Sequence, residues 1–180
     1  MKRRQTAGQL RTQAPRRQNS YLMPTLLDRL ADHAPHREHE TPGEYAVTRS
    51  QMRDIIQRDL SYLLNTTSLG ELIDRNEYPE AAASTINYGV PPLTGAYAAS
   101  RAWVDIERDI RLAILAFEPR LIPDKLVIVP LEGADGTRYN NLSFAIHGEI
   151  HMDPYPLEFT VQSTLDLESG QLHVTGRRAA

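Results

Sequence analysis

The run LSFAIHGEIH at 142–151, then DPYP at 153–156 and LEFTVQSTLDL at 157–167, decides the fold class. In the first segment Leu142, Phe144, Ile146, Gly148 and Ile150 alternate with Ser143, Ala145, His147, Glu149 and His151. In the last, Leu157, Phe159, Val161, Ser163, Leu165 and Leu167 alternate with Glu158, Thr160, Gln162, Thr164 and Asp166. Successive side chains of a strand point to opposite faces. A period of two therefore predicts two strands with one face on a core and one in water. Asp153-Pro154-Tyr155-Pro156 turns the chain between them, and Ser169-Gly170 turns a final short strand through Leu172 and Val174. Upstream, Lys125-Leu126-Val127-Ile128-Val129 is β-branched and apolar on both faces, which predicts an interior strand, and Glu132–Thr137 predicts a turn.

Two helices precede these strands. Met52, Ile56, Leu60, Leu63 and Leu64, with Ile55, recur at three- and four-residue steps and predict a helix over 49–64. Thr48 and Gln51 have capping-box spacing, Ser50 is an alternative cap, and Asn65 is expected to end the helix in the left-handed region. Trp103, Ile106, Ile110, Ala113, Ile114 and Phe117 predict a second helix over 101–117 with Ser100 as its N-cap and Glu107–Arg111 as a pair on its wet side. Between them, 66–95 holds small residues, prolines and Gly89, and reads as loop with short helical turns. The fold class is α+β: two main helices packed on one face of a largely antiparallel sheet of about four strands.

Composition sets the outer bounds. The 180 residues, 41% hydrophobic and 24% charged, suit one globular domain with extensions. No apolar run reaches the roughly 18 residues of a membrane span, and no secretory signal is visible. The absence of cysteine excludes disulfides, thiol catalysis and zinc–thiolate sites, and fits a cytoplasmic protein. The net charge of −3 hides an asymmetry: Lys2, Arg3, Arg4, Arg11, Arg16 and Arg17 lie in a segment free of acids, and without that +6 the remainder carries −9. Such an arm suits nucleic acid, lipid headgroups or an acidic neighbour, and loosely resembles a transit peptide; as a segment poor in apolar residues it reads first as a disordered tail. The expected organisation is a disordered basic arm over 1–20, a short helical patch and polar linker over 21–47 with Thr25 capping a turn after Pro24, a folded domain over 48–175 and a tail over 176–180.

The segment least like a generic domain is Phe117-Glu118-Pro119-Arg120-Leu121, at the joint between the second helix and the strands. Proline forbids further helix and biases Glu118 toward an extended conformation. An acid and a fork-shaped cation then flank a stiff corner, which suits either an internal ion pair or the grip on a partner. Other constellations are weaker. His33, His36 and His39 lie in a proline-bearing linker with no framework to hold a metal. His147, Glu149 and His151 share one strand face at steps of about 6.8 Å, which puts the two histidines too far apart for one zinc ion. Acids are plentiful, but no pair declares itself as the two carboxyls, about 5–9.5 Å apart, of a glycosidase. Serine-hydrolase elbows, phosphate-binding loops, dinucleotide glycine patterns and zincin motifs are absent.

Several segments, read in order, resemble one family: Leu26-Leu27-Asp28-Arg29-Leu30; the helix end Asp59-Leu60-Ser61-Tyr62-Leu63-Leu64-Asn65-Thr66; Asn87-Tyr88-Gly89-Val90-Pro91; Ile106-Glu107; the Glu118-Pro119-Arg120 corner; and the closing alternation from Leu142 to Leu165. Over residues 21–175 the chain is similar to the TssE family, the small baseplate-wedge subunits of bacterial type VI secretion systems. That family is akin to the wedge protein of contractile phage tails labelled "lysozyme-like". Thr67 stands where the family commonly has arginine, and Pro92 where it usually has an acid. The resemblance implies a scaffold without catalytic residues, cofactor or metal. It implies that Glu118, Pro119 and Arg120, with Leu27, Asp28, Arg29 and Leu30, bind partners. Those partners are a helical core bundle built by TssF and TssG, other baseplate subunits such as TssK and the VgrG hub, and the TssB/TssC sheath, which the subunit starts by strand addition. It implies a cytoplasmic place near the inner-membrane complex, with no nucleic acid and no membrane span. The inherited label supplies the alternative, a muramidase-like glycoside hydrolase.

Overall fold

The computed structural model describes residues 25–31, 35–37, 47–74, 76–93, 103–131, 141–152 and 155–176. The helices are α1 (Leu26–Leu30), α2 (Arg49–Leu64), α3 (Pro79–Ala83) and α4 (Trp103–Phe117). The strands are β1 (Val127–Pro130), β2 (Asn141–Ile150), β3 (Leu157–Asp166) and β4 (Leu172–Gly176). Short 3-10 turns occupy Thr85–Asn87 and Pro123–Lys125. The expectations for the basic arm at 1–20, for His33 and His39, for the Ser100 cap, for the turn at 132–137 and for the tail after Gly176 lie outside the described residues.

The sheet is an antiparallel meander in the order β1-β2-β3-β4. Its long central pair joins Asn141 to Asp166 and Ile150 to Leu157, and this register puts Phe144, Ile146, Ile150, Leu157, Phe159, Val161 and Leu165 on the core side. α2 and α4 cover that side with Met52, Ile56, Leu60, Leu63, Ile110 and Ile114, each at most 2% exposed. A fully buried side chain of this size stabilises by about 1.5–3 kcal/mol, so this single layer dominates the stability of the domain. Trp103 tilts against Phe144 with ring centroids 5.8 Å apart, closing the α4 end of the layer.

α2 begins as its sequence dictates: the Gln51 backbone N–H donates to Thr48 Oγ1 at 3.2 Å, and the Thr48 N–H donates to Gln51 Oε1 at 2.9 Å. Its end differs from expectation. Asn65 has φ −94°, outside the left-handed region, because its amide is committed elsewhere. Nδ2 donates to Ser61 O and to Leu172 O, both at 2.8 Å, and Oδ1 accepts from the Leu172 N–H at 2.8 Å. Asn65 thus stands in for a neighbouring strand along the outer edge of β4. Gln57 Nε2 continues this by donating to Val174 O at 3.2 Å.

The second correction concerns β1. It lies at the edge of the sheet, not in its interior, and runs Val127–Pro130, so Lys125 belongs to the preceding 3-10 turn. Pro123 sets that turn and Pro130 ends the strand, which leaves a short segment suited to an edge. Ile128 is buried while Val127 is 47% exposed, so the apolar run is half-buried.

Candidate functional site

α4 gives way to the corner one residue at a time. The Glu118 N–H still donates to Ile114 O at 2.8 Å in helical fashion, and Pro119 has no N–H to continue the pattern. The Leu121 N–H then closes a turn on Glu118 O at 3.2 Å, with the exposed Pro119 at its apex. Past the apex the chain is pinned to the end of β2: the His151 N–H donates to Arg120 O and the Ile122 N–H to Glu149 O, both at 2.8 Å, and Leu121 pairs with Ile150. Arg120 therefore projects from backbone fixed on both sides.

Its guanidinium binds two carboxylates. Arg120 Nε donates to Glu118 Oε1 at 2.6 Å and Nη2 to Asp59 Oδ2 at 2.6 Å, while Nη2 also pairs with Glu118 Oε2. Glu118, 4% exposed, accepts the Arg120 backbone N–H as well, at 3.2 Å. Asp59 passes the alternation on, since its Oδ1 accepts from Arg58 Nε and Nη2 at 3.0 and 2.8 Å. Arg58 in turn grips Asp28 of α1 through Nη1 at 2.6 Å and Nη2 at 3.0 Å. The result is a line of alternating charges, Asp28–Arg58–Asp59–Arg120–Glu118, running from the N-terminal helix to the corner. Burial works against the charge on Arg120, but Glu118 and Asp59 outweigh it and its pKa is raised. The Arg58 guanidinium holds the Asp28 carboxyl at about 2, below the ordinary 3.8. Thr25 adds to this: its hydroxyl donates to Asp28 Oδ2 at 2.5 Å and accepts from the Asp28 N–H at 3.3 Å.

A pocket of about 330 Å³ opens beside the corner, with Asp59, Glu118 and Arg120 among its polar walls, Leu60, Leu63, Tyr88 and Phe117 among its apolar ones, and Thr25 and Pro119 completing the lining. Tyr88 meets Phe117 edge to face at 5.2 Å. Burial, then the charges of Asp59 and Glu118, push the Tyr88 phenol up. This geometry holds charge in place and offers a stiff, partly apolar surface to another molecule.

The structure thus joins two segments that sequence reading singled out separately, the corner and α1. Glu118 is internal, Pro119 is exposed and Arg120 is half-buried. Asp28 reaches the corner through Arg58, Leu30 is 71% exposed, and the side chains of Leu27 and Arg29 lie outside the described ones. Sequence reading missed Arg58 and Asp59, the links between them. The signal was present: Asp59 lies three residues after Ile56 and four before Leu63, an acid on the apolar stripe of α2. Arg111 also does more than expected, since besides Glu107 it donates to Leu126 O at 2.6 Å, half-buried beside the start of β1.

His147 Nδ1 meets Thr160 Oγ1 at 3.2 Å and Glu149 lies 3.7 Å from Lys125 Nζ. No cluster able to hold a metal occurs among the described residues, and no helix among them is long and apolar enough to cross a membrane. Thr67 and Pro92, the two departures from the family pattern, line one polar groove of about 590 Å³ at the end of α2, where Thr67 bridges to Val90.

No curated protein and no solved structure matches the chain. The family model of the baseplate wedge protein gp25 matches residues 50–155, from the first turn of α2 through the corner and β2. That span is more than half of the chain and contains Arg58, Asp59, Tyr88, Glu118 and Arg120, so the chain belongs to the baseplate wedge protein gp25 family.

Proposed function

We propose that this baseplate component is the small wedge subunit of a type VI secretion system, working as a scaffold in the cytoplasm at the baseplate. In this reading the Glu118-Pro119-Arg120 corner, with α1 beside it, clamps the core bundle built by TssF and TssG. The observation that carries it is the corner itself. Its backbone is pinned to β2, its apex is exposed, and its arginine is oriented by two carboxylates beside a pocket. Prearranged charge of this kind lowers the cost of ordering a contact on binding.

The sheet supports a second contact, with the TssB/TssC sheath. On β4 the outward-facing backbone of Leu172 and Val174 is taken by Asn65 and Gln57. On β1 the Leu131 N–H donates to Ser143 O, so by antiparallel alternation Val129 and Val127 face β2 and Ile128 turns its N–H and C=O outward. Arg111 occupies the outward carbonyl of Leu126, but no partner meets Ile128 among the described residues. An added sheath strand would therefore pair with β1.

Co-purification with TssF and TssG tests the clamp. Arg120→Ala should leave a cooperatively unfolding chain that recovers less of both partners, with a loss of about 2–5 kcal/mol in binding. Full recovery of both by a folded Arg120→Ala variant would reduce the corner to an internal brace.

A further inference from the structure

Resting on the reading of the corner as a docking site, we infer that its pocket receives one cationic side chain of the partner, a lysine or an arginine. The head group lies on Asp59 and the stem lies against Tyr88 and Phe117.

The charge of the walls points this way. Two carboxylates, Asp59 and Glu118, face the pocket against one guanidinium, Arg120; Arg58 is outside the lining and is occupied by Asp28 and by Asp59 Oδ1. A carboxylate oxygen has two acceptor sites, and among the described residues Asp59 Oδ2 holds one bond, from Arg120. It can take a second donor without releasing the first. An incoming anion has no such place. To reach Arg120 it must displace Asp59 or Glu118, and freeing Glu118, at 4% exposure, strands a buried charge. The apolar side of the pocket fits the same guest. Tyr88 and Phe117 offer ring surface to an alkyl stem, and a cation near an aromatic face gains further attraction. A volume of about 330 Å³ suits one long side chain and not a whole helix. The Tyr88 phenol is raised mainly by burial, and the charges of Asp59 and Glu118 add to it in the same direction.

The test uses the full chain and three small probes: acetyl-arginine methylamide, its citrulline counterpart of the same shape without charge, and acetyl-glutamate methylamide. Binding is followed by the aromatic NMR signals of Tyr88 and Phe117. The expected result is that the arginine probe binds about fivefold or more tightly than the citrulline probe, and the glutamate probe does not bind. Asp59→Asn should bring the arginine-to-citrulline ratio close to one. Because Asp59 also braces Arg58 and Arg120, Tyr88→Leu is read alongside, and it should weaken the arginine probe while leaving the charged line intact. Equal binding of arginine and citrulline, preference for glutamate, or no shift with any probe would overturn the inference. Co-purification with TssF and TssG separates the two ideas. Partner recovery that depends on Arg120 while the pocket rejects the arginine probe sinks only the cationic guest. A pocket that takes the arginine probe in a chain whose partner recovery ignores Arg120 sinks only the clamp.

Discussion

α2 serves two regions built on opposite principles. Toward the sheet it contributes Met52, Ile56, Leu60 and Leu63 to a layer with almost no exposure; toward α1 and the corner it contributes Arg58 and Asp59 to a line of mostly part-buried charges. The layer is non-directional: it asks for apolar volume and tolerates changes of kind more than changes of size. The corner asks for particular atoms at particular distances and has little apolar area to lose. Stability therefore resides mainly in the first and, under the proposed function, specificity in the second, although both share the turn of α2 from Ile56 to Leu60.

The strongest way to break the contrast is to damage the layer and watch the corner. Phe144 is fully buried and touches Trp103, so Phe144→Ala should destabilise the domain by about 3–5 kcal/mol in denaturant unfolding. Where the variant remains folded, partner recovery should be unchanged. Lost recovery in a folded Phe144→Ala protein would mean that the layer also shapes the docking surface.

Gly89 lies on the seam, between Tyr88 of the pocket and Val90 of the core. Its φ is +121°, and a Cβ there would lie 2.2 Å from Thr66 O, on backbone already bound by the Val90 N–H at 2.9 Å. Gly89→Ala should cost about 1–3 kcal/mol through strain alone. Unlike Phe144→Ala, it should also displace Tyr88, seen as loss of the Tyr88–Phe117 contact by NMR. A change in stability without movement of Tyr88 would show that the two regions meet elsewhere.

Glu118→Gln probes the corner alone. It keeps the volume and removes one charge from beneath Arg120, which retains Asp59. Stability should fall by about 1–2 kcal/mol, since Arg120 is part-exposed and keeps one acid. If the corner is the proposed clamp, recovery of TssF and TssG should fall more steeply than this loss predicts. Proportional losses in the two measurements would make Glu118 a brace and nothing else.

The same contrast explains what was legible in the sequence. The layer was, because it repeats: Leu157 to Leu165 alternate without a break, and the α2 stripe and its Thr48–Gln51 box gave that helix its bounds. β1 was misplaced because an apolar run reads alike in an interior strand and a half-buried edge, and only the order of the meander separates them. The corner announced itself through Pro119, yet its partners did not, since Asp59 precedes Arg120 by 61 residues and Asp28 precedes Arg58 by 30. Asn65 misled for a related reason. Asparagine suits a left-handed cap in isolation, and its real task, matching the backbone of Leu172, lies 107 residues away.

The finest distinction falls at the far end of the charged line. Asp28 ties α1 to the body through Arg58, and the described side chains Leu26 and Leu30, 67% and 71% exposed, add little apolar burial to that tie. The Asp28 carboxyl titrates at about 2 in the folded chain against an ordinary 3.8. The folded value is depressed, so the ion pair's contribution is fully present above about pH 4. It fades as pH falls from there toward 2, as the carboxylate takes up its proton. Carboxyl-carbon NMR should place the Asp28 midpoint near 2, and Arg58→Gln should return it toward 3.8. In unfolding at neutral pH, Asp28→Asn should change stability by no more than about 1 kcal/mol, as expected of a part-exposed pair. Its effect belongs to α1: the Leu26 and Leu30 methyl signals should sharpen toward those of a free chain while the signals of Phe144 and Ile146 stay fixed. If the core signals moved with them, the charged line would be part of the layer's stability, and the division between the two regions of α2 would not hold.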